Sequence, residues 1–298
     1  MSPHVAVIVL NYRGWQDTIN CVFSLKKLAY PNVQIIVVDN ASADESVAEI
    51  QDAHPDVTII ESSENGGYSA GNNLGIRYAM NRPDTEYIWL LNNDTTVDPM
   101  ALNALVEKAQ TYPNTLIGSL ILYPDGRYQT VGNRVHKLFL RARNYKLDTL
   151  QDGQAVETLC GCSMLVPRNV FEAIGLLDET YFLYLEDTDF CIRANRAGFV
   201  SRVALGSKVF HKDGASTSKN KRWGTYYSQR NRLIFARKFA SAFHFKLLLL
   251  YHLLYRRLRS WTKAFFSNRP DEWHYHRARI LAQTDFLKGV TGKCPHDI

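Results

Sequence analysis

The chain has 298 residues, of which 46% are hydrophobic, and a formal net charge of +6; that apolar content supports a sizeable core and argues against disorder. The charge is uneven: between Asp213 and Asp271 lie 13 Lys/Arg and no acid, leaving 22 basic against 29 acidic residues elsewhere, so an anionic partner is expected for the basic segment. Five cysteines without paired CxxC motifs argue against a disulfide framework or zinc site, a start without leader-like features and no run of about 18 apolar residues predict neither a secretion signal nor a spanning helix, and a cytoplasmic location is expected.

Residues 5–10 form a β-branched run without alternation, which predicts a buried parallel strand. Asn11 to Gly14 break it, and residues 15–28 have helical spacing. A second buried strand, 33–38, ends in Asp39-Asn40-Ala41-Ser42. A helix over 46–51 and a third strand over 57–61 follow. Strands and helices alternating at this spacing predict βαβ units and a doubly wound parallel sheet. The glycine-rich run 65–75 then precedes a helix expected over 76–81. Such a loop offers free backbone N–H groups to a phosphate. It is neither a Walker loop nor a GxGxxG following a first strand, and a plain loop is the expected reading.

The apolar run 87–91 ends abruptly in Asn92-Asn93-Asp94. A buried strand that delivers a carboxylate to the sheet edge has this form, and ligand sites of open α/β sheets lie at that edge; an Asn/Asp-rich turn has it too. A helix over 99–112 and a strand over 116–123 are expected, then an irregular loop over 127–154. Residues 156–166 read as a strand interrupted by Cys160-Gly161-Cys162, and 168–174 as a short helix closed by Gly175. From Glu186, acids in the first turn, arginines in the last and Gly198 beyond predict a three-turn helix. Glu186 and Asp187 have Phe182, Tyr184 and Leu185 for company, which makes them candidate general bases. Asp189 reads as a cap or a solvent residue. Strands at 201–205 and 208–210 lead to His211, a loop histidine or a ligand.

Beyond Trp223 the composition changes, with helices expected from 226, over 239–261 and over 272–287. The middle one sets apolar and aromatic residues beside Lys246, Arg256, Arg257 and Arg259. An interfacial helix drawn to anionic lipid has this pattern; a helix packed on the main domain and a homodimer contact fit it as well.

Taken together and in order, these motifs resemble the family 2 glycosyltransferases, inverting enzymes of the GT-A fold, and most of all their rhamnosyltransferase-type members. The match runs from residue 5 to about 231: Val7 with Asn11-Tyr12, Val37 to Ser42, the 65–73 run, Leu91 to Asp94, Gly161, Gly175 with Asp178-Glu179, Tyr184 to Asp189, His211 and Arg230-Asn231. The resemblance implies a Rossmann-like α/β domain, its mostly parallel central sheet flanked by helices, over residues 1–218. A basic helical extension would occupy 219–298. It implies that Asp39 binds the pyrimidine base, with Asn11 and Tyr12 near it, and that Asn72 and Asn73 approach the nucleotide-sugar. Asn92-Asn93-Asp94 stands at the Asp-x-Asp position, where Asp94 would hold a divalent metal on the diphosphate. His211 would be a second ligand, Asp187 the base with Glu186 beside it, and Arg230 a diphosphate contact once a loop closes. Oxygen ligands suit Mg²⁺, and a histidine shifts the preference to Mn²⁺. The chain departs from the pattern at Asn92, where an acid is usual, so the metal site has fewer protein charges and is expected to fill together with the donor.

The implied activity is metal-dependent transfer of a sugar from a nucleotide donor, dTDP-rhamnose first and a UDP-sugar second. The acceptor would be a hydroxyl of a saccharide or lipid-linked saccharide in cell-surface polysaccharide synthesis, reached from the inner membrane face. An inactive nucleotide-sugar-binding protein is the main alternative, and Asp94, Asp187 and His211 argue against it. A nucleic-acid binder would need a recognisable motif that the basic segment lacks.

Overall fold

The computed structural model describes residues 2–136, 138–140, 142–212, 221–266 and 270–297, with side chains at all of these except 261, 263–266 and 270–272. The domain boundary expected at 218/219 lies outside the described residues. The chain divides into two compact units, one of residues 1–135, 142–178 and 187–213, the other of 136–141, 179–186 and 214–298.

The first unit opens with β1 (His4–Asn11), α1 (Trp15–Leu25), β2 (Val33–Asp39), α2 (Ser46–Ala53), β3 (Thr58–Glu61) and α3 (Gly67–Met80). Next come β4 (Thr85–Asn92), β5 (Thr95–Val97), α4 (Ala101–Thr111), β6 (Thr115–Leu122), β7 (Tyr128–Thr130), β8 (Asn133–Val135) and β9 (Ala142–Asn144). The series ends with β10 (Ala155–Val156), β11 (Ser163–Pro167), α5 (Arg168–Ile174), α6 (Glu186–Arg196) and β12 (Val200–His211). The sheet runs β10-β12-β6-β11-β4-β1-β2-β3. The pairs among β1, β2, β3 and β4 are parallel, as is β6 with β12, while β11 runs antiparallel between β4 and β6. The sheet is therefore mixed but mostly parallel. Along β1, Val5, Val7 and Val9 join a core with α1, α2 and α4. Ala6 and Ile8 join a second core with α3, α5 and α6. Helices cover both faces, which is why these strands read as continuous apolar runs.

Register brings the polar strand ends together. Asn11 lies opposite Asp39, and Leu10 opposite Asn92. At the other side β5 pairs antiparallel with β12, setting Thr95 against His211.

Three expectations are corrected. The run 65–75 is no loop: α3 starts at Gly67. Its glycines serve packing, since a Cβ at Gly71 would sit 2.4 Å from Leu10 Cδ1 and one at Gly75 would sit 2.6 Å from Ile8 Cγ2. Gly75→Ala is expected to lower stability by about 1–3 kcal/mol through overpacking, read by denaturant melting; an unchanged midpoint would contradict this contact. Residues 127–154 are not irregular either. Here β7 extends the sheet along β6, β8 and β9 pair as a ribbon, and Leu147–Thr149 makes a single 3₁₀ turn. Strands of three residues are too short to reveal their period. Finally, 201–205 and 208–210 belong to one strand, β12, whose register slips between Ala204 and Lys208.

The second unit contains α7 (Lys221–Phe239), α8 (Ala242–Leu250), a π-helical stretch Tyr251–Arg256, α9 (Arg257–Phe266) and α10 (Pro270–Leu287). The Ser241 side chain caps α8, accepting from His244 N. Tyr226 and Tyr227 of α7 pack with Ala278 and Ala282 of α10 and with Cys294. Tyr226 Oη donates to Asp285 Oδ2 at 2.6 Å. Among the described residues no helix is long and apolar enough to cross a membrane.

Candidate active site

Two loops meet at the carboxyl ends of β1 and β2. Asn11 Nδ2 donates to Asp39 Oδ1 at 2.7 Å, and Thr18 Oγ1 donates to Asn11 Oδ1 at 2.7 Å. Ser42 supplies Asp39 with its hydroxyl and its backbone N–H, at 2.5 and 2.9 Å. Arg13 N in turn donates to Ser42 Oγ at 2.9 Å. Arg13, Ala41 and Ala43 have φ of 52°, 57° and 53°. Left-handed backbone at non-glycine residues costs free energy, and the bonds through Ser42 hold it in place. The nearly buried Asp39 carboxylate is thus fixed in orientation, and Tyr12, next to Asn11 in the chain, is 40% exposed with the Arg13 guanidinium 5.4 Å from its ring centre.

The β5–β12 pairing brings two residues more than a hundred positions apart into contact. His211 Nε2 lies 3.2 Å from Asp94 Oδ1, and both side chains are only about a tenth exposed. Asp94 Oδ1 is buried and accepts no hydrogen bond. Lys212 N donates to Asp94 O at 3.1 Å, so the backbone locks the turn that carries Asp94. On the far side of the ring, His211 Nδ1 lies 3.2 Å from Gln129 Oε1 of β7. With Oε1 as acceptor, Nδ1 carries the proton and Nε2 keeps its lone pair towards Asp94. A small divalent ion with ligands at about 2.1 Å separates neighbouring ligands by about 3 Å, so this pair suits such an ion. No group of three His, Cys, Asp or Glu is available to hold one among the described residues.

Asp187 lies in the first turn of α6. Its Oδ2 accepts from Gly161 N at 3.0 Å, and its Oδ1 accepts from Thr188 N and Thr188 Oγ1 at 2.6 and 3.2 Å. Tyr68 Oη donates to Gly161 O at 2.6 Å. A Cβ on Gly161 would come within 3.1 Å of Asp187 Cβ and 3.2 Å of Tyr68 Oη, which explains the glycine between Cys160 and Cys162. Asp187 keeps some solvent exposure, yet burial among protein atoms raises its carboxyl above the ordinary value, outweighing the bonds that lower it.

Other expected residues have framework contacts. Asn72 and Asn73 sit on α3 rather than in a loop. Asn72 Nδ2 donates to Tyr68 O at 2.9 Å, and Asn73 uses both ends of its amide on the Leu177 backbone, at 2.9 and 3.1 Å. Asn92 ends β4 partly exposed, its backbone N–H donating to Cys162 O at 3.0 Å.

Glu186 and Arg230 belong to the second unit, and both are buried. Arg230 donates to Gly292 O at 2.7 Å, and its guanidinium lies 5.2 Å from the ring centres of Tyr226 and Tyr227. Beside it Asn231 Nδ2 reaches the carbonyls of Tyr181, Leu183 and Tyr184 at 2.7, 2.7 and 3.0 Å. These carbonyls belong to the turn that leads into α6, where Phe182, Tyr184 and Leu185 have φ of 56°, 71° and 76°. Asn231 therefore clamps a strained turn immediately before Glu186 and Asp187. Neither Gln129 nor this clamping role is legible in local sequence pattern: the first lies in a three-residue strand, and the second depends on contacts distant in sequence.

Comparison with known proteins bears on the family and the fold. The family model described as "Glycosyl transferase family 2" matches residues 5–175, more than half of the chain. The chain is 27% identical to the low-salt glycan biosynthesis hexosyltransferase Agl10 of Haloferax volcanii, over 78% of this chain and 76% of that protein. It is 23% identical to the dTDP-rhamnosyl transferase RfbF of Shigella flexneri, over 98% of each. With the N-acetylglucosaminyl-diphospho-decaprenol L-rhamnosyltransferase of Mycobacterium tuberculosis identity is 24%, over 74% of this chain and 80% of that one. Among solved structures, the mannosyltransferase PcManGT of Pyrobaculum calidifontis, in complex with GDP-Man and Mn²⁺, superposes with a TM-score of 0.63 at 15% identity, covering 96% of this chain and 88% of that one. The fold is the GT-A arrangement.

Proposed function

The chain belongs to glycosyl transferase family 2, and on that premise we propose that it is an inverting, metal-dependent transferase that moves rhamnose from dTDP-rhamnose to a hydroxyl of a lipid-linked saccharide. The observation that carries this reading is the buried Asp94–His211 pair with its unsatisfied carboxylate oxygen. The name of the Shigella relative supports the donor, and that of the Mycobacterium relative a lipid-linked acceptor. A UDP-sugar is the second donor choice. In this reading residues 1–218 bind the donor and carry the chemistry, and 219–298 serve the acceptor side at the inner membrane face.

Asp39, oriented by Asn11 and Ser42, would accept a hydrogen bond from the pyrimidine N3–H, and the exposed Tyr12 ring would cover the base. Asp94 and His211 Nε2 would hold Mn²⁺ or Mg²⁺, a Lewis acid that when bound neutralises charge growing on the departing diphosphate. Gln129 keeps His211 in the tautomer able to bind it. Asn72, Asn73 and Asn92 would frame the donor through the backbone segments they hold. Arg230 would reach the diphosphate only after exchanging its bond to Gly292. Asp187 would take the proton of the acceptor hydroxyl as that oxygen attacks C1, and Glu186 would add negative potential beside it. One displacement without an enzyme nucleophile inverts the anomeric centre.

A thermal-shift screen of nucleotide-sugars with Mn²⁺ tests the reading, because a bound donor stabilises the fold by mass action; no shift with any pyrimidine nucleotide would sink it. Gln129→Leu is expected to weaken Mn²⁺ affinity in the presence of nucleoside diphosphate by about 10- to 100-fold, the usual effect of losing a partner that orients a ligand. Calorimetry would detect this, and unchanged affinity would remove Gln129 from the site.

A further inference from the structure

The continuous helical run from α8 through α9 has an unusual surface. Phe243, Leu247, Leu250, Leu254 and Leu258 are 73%, 49%, 54%, 61% and 66% exposed. Their spacing of three or four residues puts them on one face, about 22 Å long at 1.5 Å per residue. Leu248, His252 and Ser260 on other sides of the run are buried. A separate segment of the same unit extends the apolar face. His244 Nε2 lies 2.8 Å from Leu138 O, and the Phe139 ring packs 6.0 Å from that of Tyr251. Leu138 and Phe139 are themselves 56% and 37% exposed. Soluble monomers rarely leave so many large apolar side chains contiguous.

The charges beside this face have one sign. Lys246 and Arg259 are exposed along it, Arg256 and Arg257 are partly exposed, and the sequence from 214 to 270 contains no Asp or Glu. A second copy of the chain docking here about a two-fold axis would bring the two cationic rims together, with no carboxylate from that segment to pair them. An anionic bilayer offers both the hydrocarbon and the counter-charge, with basic residues attracted to the leaflet by about 1 kcal/mol each.

We propose that the face formed by Phe243 to Leu258, with the Leu138–Phe139 tip, lies in the interface of an anionic membrane, buried to the headgroup–acyl boundary without spanning it. This deepens the reading of a lipid-linked acceptor and rests on it for the choice of a bilayer as the partner. A helix lying in the surface plane would hold the enzyme where such an acceptor is confined, raising its local concentration.

The test floats the full chain with phosphatidylcholine vesicles made with or without phosphatidylglycerol. The wild type should float with the anionic vesicles only, and added salt should weaken binding. Leu250→Glu with Leu254→Glu should lower the partition coefficient at least about tenfold. Lys246→Ser with Arg259→Ser should weaken binding to anionic vesicles while leaving the melting temperature unchanged. The inference is overturned if the wild type remains in the soluble fraction at low salt. It is also overturned if the wild type sediments as a dimer that the glutamate pair dissociates. Nucleotide binding in the same preparations separates the two readings: intact Mn²⁺-dependent binding without flotation rejects only the membrane face, and loss of both rejects the transferase reading as well.

Discussion

Asp187→Asn is expected to reduce sugar transfer by about two to four orders of magnitude, the range that general-base assistance supplies, while nucleotide binding survives. An acceptor hydroxyl is a poor nucleophile until its proton leaves, and an amide cannot take that proton. The substitution keeps shape, and one oxygen remains to accept from Gly161 or Thr188. Donor recognition in the proposed site depends on Asp39, Asp94 and His211, so calorimetric affinity for the nucleotide should change little. Near-normal turnover would remove Asp187 from the base role. The pH profile gives an independent check. As the proposed base Asp187 would act in its ionised form, and burial raises its pKa above the ordinary 3.8. On acidification kcat/KM should therefore fall with a midpoint above that of an ordinary aspartate, and the Asn variant's residual rate should lose this limb. A wild-type limb at or below 3.8 would contradict the assignment.

Asp94→Ala should abolish the mutual enhancement of metal and nucleotide binding. The carboxylate contributes the only full negative charge to the pair, and the adjacent backbone bond from Lys212 N to Asp94 O does not depend on the side chain. Loss of a direct ligand is expected to exceed the roughly 10- to 100-fold cost of losing an orienting partner, so Mn²⁺-dependent nucleotide affinity should fall at least about a hundredfold. Calorimetry with and without EDTA would measure it. With Asp94 and His211 as the proposed protein ligands, and Asn92 where an acid would add another, the metal should bind weakly alone and tightly with diphosphate. His211→Ala should cause a smaller loss, since it removes a ligand but no charge.

Where local pattern and tertiary structure agree, the sequence was legible. Residues 5–10 and 33–38 read as buried strands because helices cover both faces of the sheet, and α6 announced itself through Glu186, the arginines of its last turn and Gly198. The position of Asp94 at the end of an apolar strand was visible as well. Its approach to His211 was not written in any local spacing; it arises from the antiparallel pairing of β5 with β12. The run 65–75 misled because glycine ordinarily weakens helices, whereas Gly71 and Gly75 let α3 approach Leu10 and Ile8 closely. Gln129 lay in a stretch whose strands are too short to betray a period. Asn231 stood in a motif, but its role depends on carbonyls nearly fifty residues earlier.

The most direct test of the metal–diphosphate site is a calorimetric titration of wild type and Asp94→Ala with dTDP and UDP, each in Mn²⁺ and in EDTA. Linkage requires that if metal tightens nucleotide binding, nucleotide tightens metal binding equally. The wild type should show tight, metal-dependent binding of at least one of the two nucleotides, and the variant should bind it weakly and equally under both conditions. Nucleotide affinity that is the same in EDTA as in Mn²⁺, or that is unaltered by removing Asp94, would contradict the account.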